Sequence, residues 1–280
     1  MFAFIANIFG YLLNFLYNVL NNYGWAIIIF SILIKILLLP LTIKQQKTME
    51  KTNKLQDEMK SLQFKYKNDP EKLNKEMMDM YKRENMSPFS GCLSSIVQLI
   101  LILAVFYLVR SPLTYMKKVD VNIINDYTSR LEQKTSYPEV QIIKEFGNED
   151  KTVYLNMNFL GLDLSSVPTN NLKDFKTLII PFLYVVSSII SMKLTLNMQQ
   201  KGKDEKSKEN EDGQKEESEQ DMLQNTNKTM SYMMPIMAFS ISLVAPLGLA
   251  LYWLMSNILM ILERVFLNIF MSKKDKEEEA

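Results

Sequence analysis

Four apolar blocks dominate this chain of 280 residues and limit what it can fold into. They cover residues 25–43, 91–109, 177–196 and 230–268. Because the hydrocarbon core of a bilayer is ~30 Å thick, a helix of about 20 apolar residues crosses it once. The fourth block is longer and carries a turn signal at Pro246-Leu247-Gly248, so it predicts two spans. The sequence therefore predicts an all-α integral membrane protein with five transmembrane helices.

The distribution of positive charge orients these spans. Residues 44–84 contain eleven Lys and Arg, whereas the longer segment 111–175 contains seven. The positive-inside rule places the denser segment in the cytoplasm, and therefore the N-terminus outside and the C-terminus inside a multi-pass cell-membrane protein. The predicted organisation, in chain order, is an interfacial amphipathic helix on the outside (1–22), span 1 (23–43), a cytoplasmic helical hairpin (44–90), span 2 (91–110), an extracytoplasmic segment (111–175), span 3 (176–196), a disordered cytoplasmic loop (197–228), span 4 (229–246), span 5 (247–268) and a cytoplasmic tail (269–280).

The first helix has two interpretations. Residues 1–34 carry no charged side chain, and a secretory signal opens with a basic region, so we expect no such signal. Polar and small residues share one stripe opposite Phe, Ile, Leu and Val, which is typical of a helix lying in the membrane interface. An additional span is the alternative. The stripe consists of Asn7, Gly10, Asn14, Asn18 and Asn21.

Lys35 stands alone within the first apolar block. An ammonium at the bilayer centre costs about 2.5–3.5 kcal/mol on insertion scales, so it marks a functional-site candidate. Twelve Ile and Leu residues in 25–43 can offset that cost. No Asp or Glu lies within a predicted span apart from Glu263, which is predicted at the cytoplasmic end of the last one. We therefore expect Lys35 to face a water-containing cavity and to bind a group brought from outside.

Other polar residues in the spans predict a hydrophilic groove shared with Lys35. The alternative for each Ser or Thr is an ordinary hydrogen bond between helices. The candidates are Ser31 on span 1, Gln98 on span 2, Ser187, Ser191 and Thr195 on span 3, and Trp253, Ser256 and Asn257 on span 5.

Composition excludes several other functions. The chain has no His and one Cys (Cys92), so it predicts no His metal site and no internal disulfide. The net charge of +1 says nothing about nucleic acid, and we expect no nucleic-acid partner. We find no nucleotide-binding loop, metal cluster or pairing of a nucleophile with a base. The sequence therefore predicts neither an enzyme nor a cofactor.

The segment after span 1 is predicted to be a helical hairpin. Asp69 can cap the second helix, and Pro70 suits its first position. Met59, Met77 and Met80 belong to narrow apolar stripes on the two helices. These stripes either bury each other or also receive apolar guests, because Met side chains repack easily.

Five collinear motifs resemble the YidC/Oxa family of membrane protein insertases. The matches cover most of residues 20–268 and include NYGWAIIIFSILIKILLLPLTIKQQKTMEK, KNDPEKLNKEMMDMYK with SPFSGC, NFLGLDLS and YMMPIMAFSISLVAPLGLALYWLMSN. The resemblance implies five spans around a hydrophilic groove that opens to the cytoplasm and laterally to lipid. Lys35 takes the place of a central Arg, so bidentate binding of a carboxylate is lost. Gln98 and Trp253 become groove neighbours, and the hairpin becomes the part that receives substrates.

The resemblance implies an insertase and chaperone that inserts nascent membrane proteins and helps them fold within the lipid bilayer. The Sec translocon and the ribosome are further candidate partners. Two rivals remain open from the residues alone. One is a small-solute transporter with Lys35 as an anion site, and the other is an assembly subunit in which Lys35 pairs with a partner's carboxylate.

Overall fold

The computed structural model describes residues 2–84, 90–132, 135–170, 173–204, 233 and 235–278. Helices make up most of these residues, which confirms the all-α prediction. In chain order they are α1 (Phe2–Leu20), α2 (Tyr23–Lys65), α3 (Pro70–Arg83), α4 (Ser90–Arg110), a π-helix (Leu113–Lys117), α5 (Val121–Arg130), α6 (Pro138–Phe146), a 3₁₀ turn (Pro168–Asn170), α7 (Phe175–Asp204), α8 (Pro235–Val244) and α9 (Leu247–Glu278). Strands β1 (Asn158–Phe159) and β2 (Leu162–Asp163) form a two-stranded antiparallel hairpin.

Long apolar helices confirm that this is an integral membrane protein. Four described helical stretches are long and apolar enough to cross a bilayer: Phe2–Leu20, Tyr23–Thr48, Phe175–Thr195 and Leu247–Leu267. Shorter apolar helices cover Leu99–Arg110 and Pro235–Val244. Because α1 has the length and composition of a span, both interpretations of residues 1–22 remain open, and the set of five spans stays a prediction.

One predicted segment boundary is wrong. Helix α7 continues to Asp204, so residues 197–204 are helical and do not begin a disordered loop. The remainder of the predicted loop, residues 205–228, lies outside the described residues. Helix α9 continues to Glu278, so most of the segment predicted as a cytoplasmic tail (269–280) is helical, and its place in the cytoplasm stays a prediction. Polar residues such as Gln, Lys and Glu have good helix propensity and extend a helix beyond the apolar stretch that started it.

The chain divides into two compact units. The first contains residues 1–36, 101–195 and 213–280, and the second contains 37–100 and 196–212. In the first unit, α1 packs on the π-helix, and Gly10 allows the close approach because a Cβ there would lie 1.8 Å from the Tyr115 carbonyl oxygen. Lys118 donates a hydrogen bond to Asn7 beside this contact.

The segment 111–175 is folded, although its sequence has no clear pattern. The Tyr23 N–H at the start of α2 donates to the Asn156 carbonyl oxygen at 3.0 Å. At the start of α9, the Leu247 and Gly248 N–H groups each donate at 2.9 Å, to the carbonyl oxygens of Ser166 and Leu164. Because helix N-termini carry N–H groups without partners in the helix, this segment satisfies both. It therefore holds the starts of α2 and α9 against one folded platform.

The second unit contains the helical hairpin. Asp69 precedes α3 and its carboxylate accepts from the Lys72 N–H at 3.1 Å, while Pro70 occupies the first turn, as predicted. Two contacts join the C-terminal part of α2 to α3. Arg83 Nη2 lies 2.5 Å from Glu58 Oε1, and Tyr81 Oη donates to Met59 Sδ at 3.7 Å.

Candidate functional site

Lys35 forms an ion pair with Glu263 of α9. The Lys35 Nζ lies 2.5 Å from Glu263 Oε2. The Glu263 side chain is only 4% exposed, whereas that of Lys35 is 25% exposed. The prediction that this chain offers Lys35 no carboxylate is therefore wrong. The charged residue that needed an external partner has an internal one.

The depth of Glu263 explains the error. The side chain of Tyr23 lies close to Gly248, so α2 and α9 start at the same level. At 1.5 Å per residue, Lys35 lies ~18 Å and Glu263 ~24 Å along their helices from those starts. A hydrocarbon core of ~30 Å contains both positions. Glu263 lies four residues before the end of the apolar stretch Leu247–Leu267, close to where it was predicted, and the long side chains of Lys35 and Glu263 span the difference of ~6 Å along the two helices.

The ion pair leaves one polar atom unsatisfied. Glu263 Oε1 is buried and has no hydrogen-bond partner among the residues that the structure describes. Ser31 does not supply one, because its hydroxyl donates to the carbonyl oxygen of Ile27 one turn earlier on the same helix at 2.7 Å. A buried acceptor without a donor costs about 1–3 kcal/mol. The Lys35–Glu263 pair is therefore held through a single carboxylate oxygen.

A row of polar contacts joins α7 to α9. The Asn257 amide donates to the Ser188 hydroxyl at 2.7 Å and to the Ser187 hydroxyl at 3.4 Å. About two turns further along α9, Arg264 donates to the Thr195 hydroxyl and to the Ser191 carbonyl oxygen. These contacts support the alternative that span 3 uses its hydroxyl stripe for bonds between helices.

Two of the remaining groove candidates, Trp253 and Ser256, make other contacts in the first unit. The Trp253 indole stacks on the Tyr184 ring with centroids 6.0 Å apart. The Ser256 hydroxyl forms a hydrogen bond with Tyr252 on its own helix. Gln98 lies on α4, but its side chain lies outside the described part of the chain. The structure thus places Lys35 beside Glu263. It places Ser191 and Trp253 in a separate contact, between α7 and α9. That all these residues line a single groove stays a prediction.

The sequence-based prediction named Glu263 without giving it a partner and did not consider Arg264. Glu263 and Arg264 are adjacent, and both fall within the apolar stretch Leu247–Leu267 of α9. The sequence feature that could have identified them is an acidic and a basic residue side by side within an apolar stretch. Consecutive helix positions point ~100° apart, so the two side chains reach different neighbouring helices. Glu263 reaches α2, and Arg264 reaches α7.

The hairpin Met residues differ in exposure. Met80 is 2% exposed, which favours a packing role, and Met59 contacts Tyr81. Met77 is partly buried. The apolar side chains exposed on this hairpin are instead Phe64 and Met78. A role in contacting substrates remains a prediction for Met59, Met77 and Met80.

A cavity elsewhere does not include any predicted site residue. It has a volume of about 350 Å³ and lies within the folded segment 111–175, where Lys144, Tyr154 and Asp163 contribute to its lining. Among the described residues, no group of three or more His, Cys, Asp or Glu side chains is placed to hold a metal ion.

Long apolar helices joined by a buried ion pair and polar contacts define an all-α integral membrane protein with charge inside its spans. The chain belongs to the 60Kd inner membrane protein family, whose model matches residues 15–275. The resemblance predicted from the five motifs is therefore confirmed.

Curated relatives carry the name Membrane protein insertase YidC. The relative from Treponema denticola is 28% identical over 269 residues, which are 96% of this chain and 38% of that protein. The relative from Chlorobaculum parvum is 29% identical over 267 residues, 95% of this chain and 36% of that protein. The one from Fusobacterium nucleatum is 42% identical over 113 residues, covering 39% of this chain and 55% of that protein. The chain thus spans well under half the length of the first two.

Proposed function

We propose that this chain is a membrane protein insertase and chaperone that helps nascent membrane proteins enter and fold in the bilayer. The observation that carries the proposal is the charged and partly exposed side chain of Lys35 within the apolar part of α2, in a chain of the 60Kd inner membrane protein family. Relatives named as insertases support it. The proposed activity is physical, with no covalent chemistry and no cofactor.

The mechanism follows from the cost of moving polar groups through hydrocarbon. A hydrophilic groove containing Lys35 shortens the apolar path that the translocated segment of a substrate must cross. The ammonium attracts acidic residues of that segment, because opposite charges interact strongly where water is scarce. The apolar flanks of the groove then release the substrate helix sideways into lipid. Ser31, Gln98, Ser191, Trp253 and Ser256 are the proposed lining.

The orientation and partners are part of the same proposal. The N-terminus lies outside and the C-terminus in the cytoplasm, so the hairpin Met residues meet a nascent chain first. The bilayer is the working environment. The Sec translocon and the ribosome are proposed as further partners on the resemblance alone.

The test is insertion into proteoliposomes that contain the purified full chain. The substrate is a single-span protein whose short translocated tail carries either two Asp or two Asn residues. The Glu263 contact dictates the variants, because removing Lys35 alone would leave a buried carboxylate without its cation. The informative set is the Lys35→Gln/Glu263→Gln double variant, Lys35→Arg and the wild type.

We expect the double variant to insert the Asp tail several-fold more slowly than the wild type, and the Asn tail at a similar rate. Lys35→Arg should retain activity because it keeps the charge. If the double variant inserts both tails as fast as the wild type, electrostatic attraction by Lys35 is excluded. If the wild type inserts neither tail and instead gives saturable flux of a small anion, the transporter alternative replaces the insertase.

A further inference from the structure

Glu263 occupies the position that a substrate carboxylate would need. Its Oε2 lies 2.5 Å from Lys35 Nζ, which is the contact that an acidic side chain of an incoming segment would make under the proposed function. A Lys ammonium is a single point charge, so its attraction is divided when two carboxylates approach it. An incoming carboxylate therefore competes with Glu263.

The burial of the two partners favours exchange at Lys35. Lys35 is the more exposed partner, at 25% against 4% for Glu263, so a second carboxylate can reach the ammonium while Glu263 remains in place. The ammonium offers three donors, and Glu263 uses one oxygen only. Lys35 therefore keeps a carboxylate partner at every stage of the exchange, but the displaced Glu263 carboxylate loses its cation, and that cost opposes displacement by a weakly acidic segment.

The neighbouring Arg264 does not compete for Glu263. Its guanidinium donates to Thr195 and to the Ser191 carbonyl oxygen on α7. This contact fixes the rotation of α9 and leaves Glu263 directed at α2. Glu263 Oε1 is buried and finds no donor on either helix. The carboxylate is thus positioned by its helix and held to its partner through one oxygen.

We infer that Glu263 is an internal substrate mimic, which neutralises Lys35 between substrates and sets how acidic a translocated segment must be to displace it. The inference rests on the proposed function. Occupancy by Glu263 lowers the fraction of Lys35 that is free, and the apparent affinity for a substrate carboxylate falls in the same proportion. Glu263 is then a specificity-determining residue that favours segments with several acidic residues over segments with one.

The experiment compares initial insertion rates at limiting concentrations of substrate. The full chain is reconstituted in vesicles, and the substrate tails carry two Asp, one Asp or two Asn residues. The variants are Glu263→Gln, which removes the charge with little change of shape, Lys35→Gln/Glu263→Gln, and Glu149→Gln as the same charge change at an exposed site of segment 111–175. Protease protection of the tail measures insertion.

Glu263→Gln is expected to raise the rate for the single-Asp tail several-fold and to narrow its difference from the two-Asp tail. It should leave the Asn tail unchanged. The gain should disappear in the double variant, and Glu149→Gln should match the wild type. A rate for Glu263→Gln that equals or falls below that of the wild type overturns the inference.

Two further outcomes are distinguishable. If Glu263→Gln does not accumulate as folded protein, Glu263→Asp replaces it. Its carboxylate is one methylene shorter, so it should hold Lys35 less well and give a smaller gain; no gain with a folded Asp variant again overturns the inference. A wild type that inserts none of the three tails overturns the proposed function and the inference with it.

Discussion

At the residue scale, the Lys35–Glu263 pair is asymmetric in burial. Glu263 is the deeper partner and has one unsatisfied oxygen, whereas Lys35 keeps a quarter of its side chain exposed. Losing one partner of a buried pair is costly because the remaining charge has no counter-ion. The cost should depend on which charge remains, since an exposed ammonium can recruit water or lipid headgroups and a buried carboxylate cannot.

This asymmetry predicts the outcome of a double-mutant cycle on stability. Lys35→Gln should lower the free energy of unfolding by about 3–5 kcal/mol, the range for an orphaned buried charge. Glu263→Gln should cost less, and the double variant should be more stable than Lys35→Gln alone. Reversible unfolding in mixed detergent micelles measures all four proteins. If the costs of the single changes simply add, the two side chains do not interact.

Glu139 gives a second prediction at this scale. It is buried in α6 and accepts from the Thr114 N–H at 2.9 Å and from the Thr114 hydroxyl at 2.7 Å. Burial nevertheless raises the pKa of the Glu139 carboxyl above its ordinary value of 4.5. The folded state therefore binds this proton more tightly than the unfolded state. The stabilisation is fully present below pH 4.5 and is lost as the pH rises through the raised pKa.

Glu139→Gln should remove this pH dependence and should stabilise segment 111–175 at neutral pH, because Gln stays neutral and can still bond Thr114. The stability of α6 can be measured as the protection of its amides from hydrogen exchange, corrected for intrinsic rates, from pH 4.5 to above the raised pKa of Glu139. Glu132→Gln, at an exposed position, is the control and should keep the dependence. An unchanged pH dependence in Glu139→Gln would assign it to another group.

At the element scale, α1 depends on a close backbone contact with the π-helix. A Cβ at Gly10 would lie 1.8 Å from the Tyr115 carbonyl oxygen, and backbone atoms cannot move aside as a flexible side chain can. Gly10→Ala should therefore weaken the docking of α1 by about 1–3 kcal/mol, the usual cost of overpacking. Faster proteolysis between α1 and α2 would reveal it. Asn18→Ala, on an exposed face of α1, should leave cleavage unchanged.

Helix α3 depends on its N-cap. The Asp69 carboxylate accepts from the Lys72 N–H, which has no partner within the helix. Asp69→Ala should destabilise α3 by about 1 kcal/mol, and Asp69→Ser should retain most of the cap. Amide exchange in the first turn of α3 measures the change. Equal exchange in the Ala variant and the wild type would show that the cap does not limit opening.

At the scale of the whole molecule, the sequence predicted the class of protein and its long helices because both follow from local patterns. The length of an apolar stretch predicts a membrane span, and Asp69-Pro70 predicts the start of a helix. The prediction from sequence failed for the contact between Lys35 and Glu263, because that contact depends on how two distant helices pack together. The periodicity of α2 placed Lys35 on a polar edge, but no local pattern states that Glu263 of α9 lies within reach of it. The error was to treat a carboxylate near the end of the last span as too distant to pair with Lys35.

Segment 111–175 was unpredictable for a related reason. Its elements are short, from two to ten residues, and are held by backbone hydrogen bonds to distant residues such as Tyr23 and Gly248. Short helices and strands are too short to show a periodic pattern of apolar residues. Hydrogen bonds between backbone groups do not depend on which side chains are present, so the sequence does not reveal them. In the whole molecule this segment sets the common starting level of α2 and α9, and through it the meeting of Lys35 with Glu263.

The central claim is that Lys35 contacts acidic segments of nascent membrane proteins. The most direct test places a photo-reactive lysine analogue that keeps its ammonium at position 35. Nascent chains are arrested with two Asp or two Asn residues in the translocated tail. We predict cross-links to several different membrane proteins, stronger for the Asp tails, and stronger still when Glu263→Gln is added. Cross-links of equal strength to both tails, or none from position 35, would contradict the account.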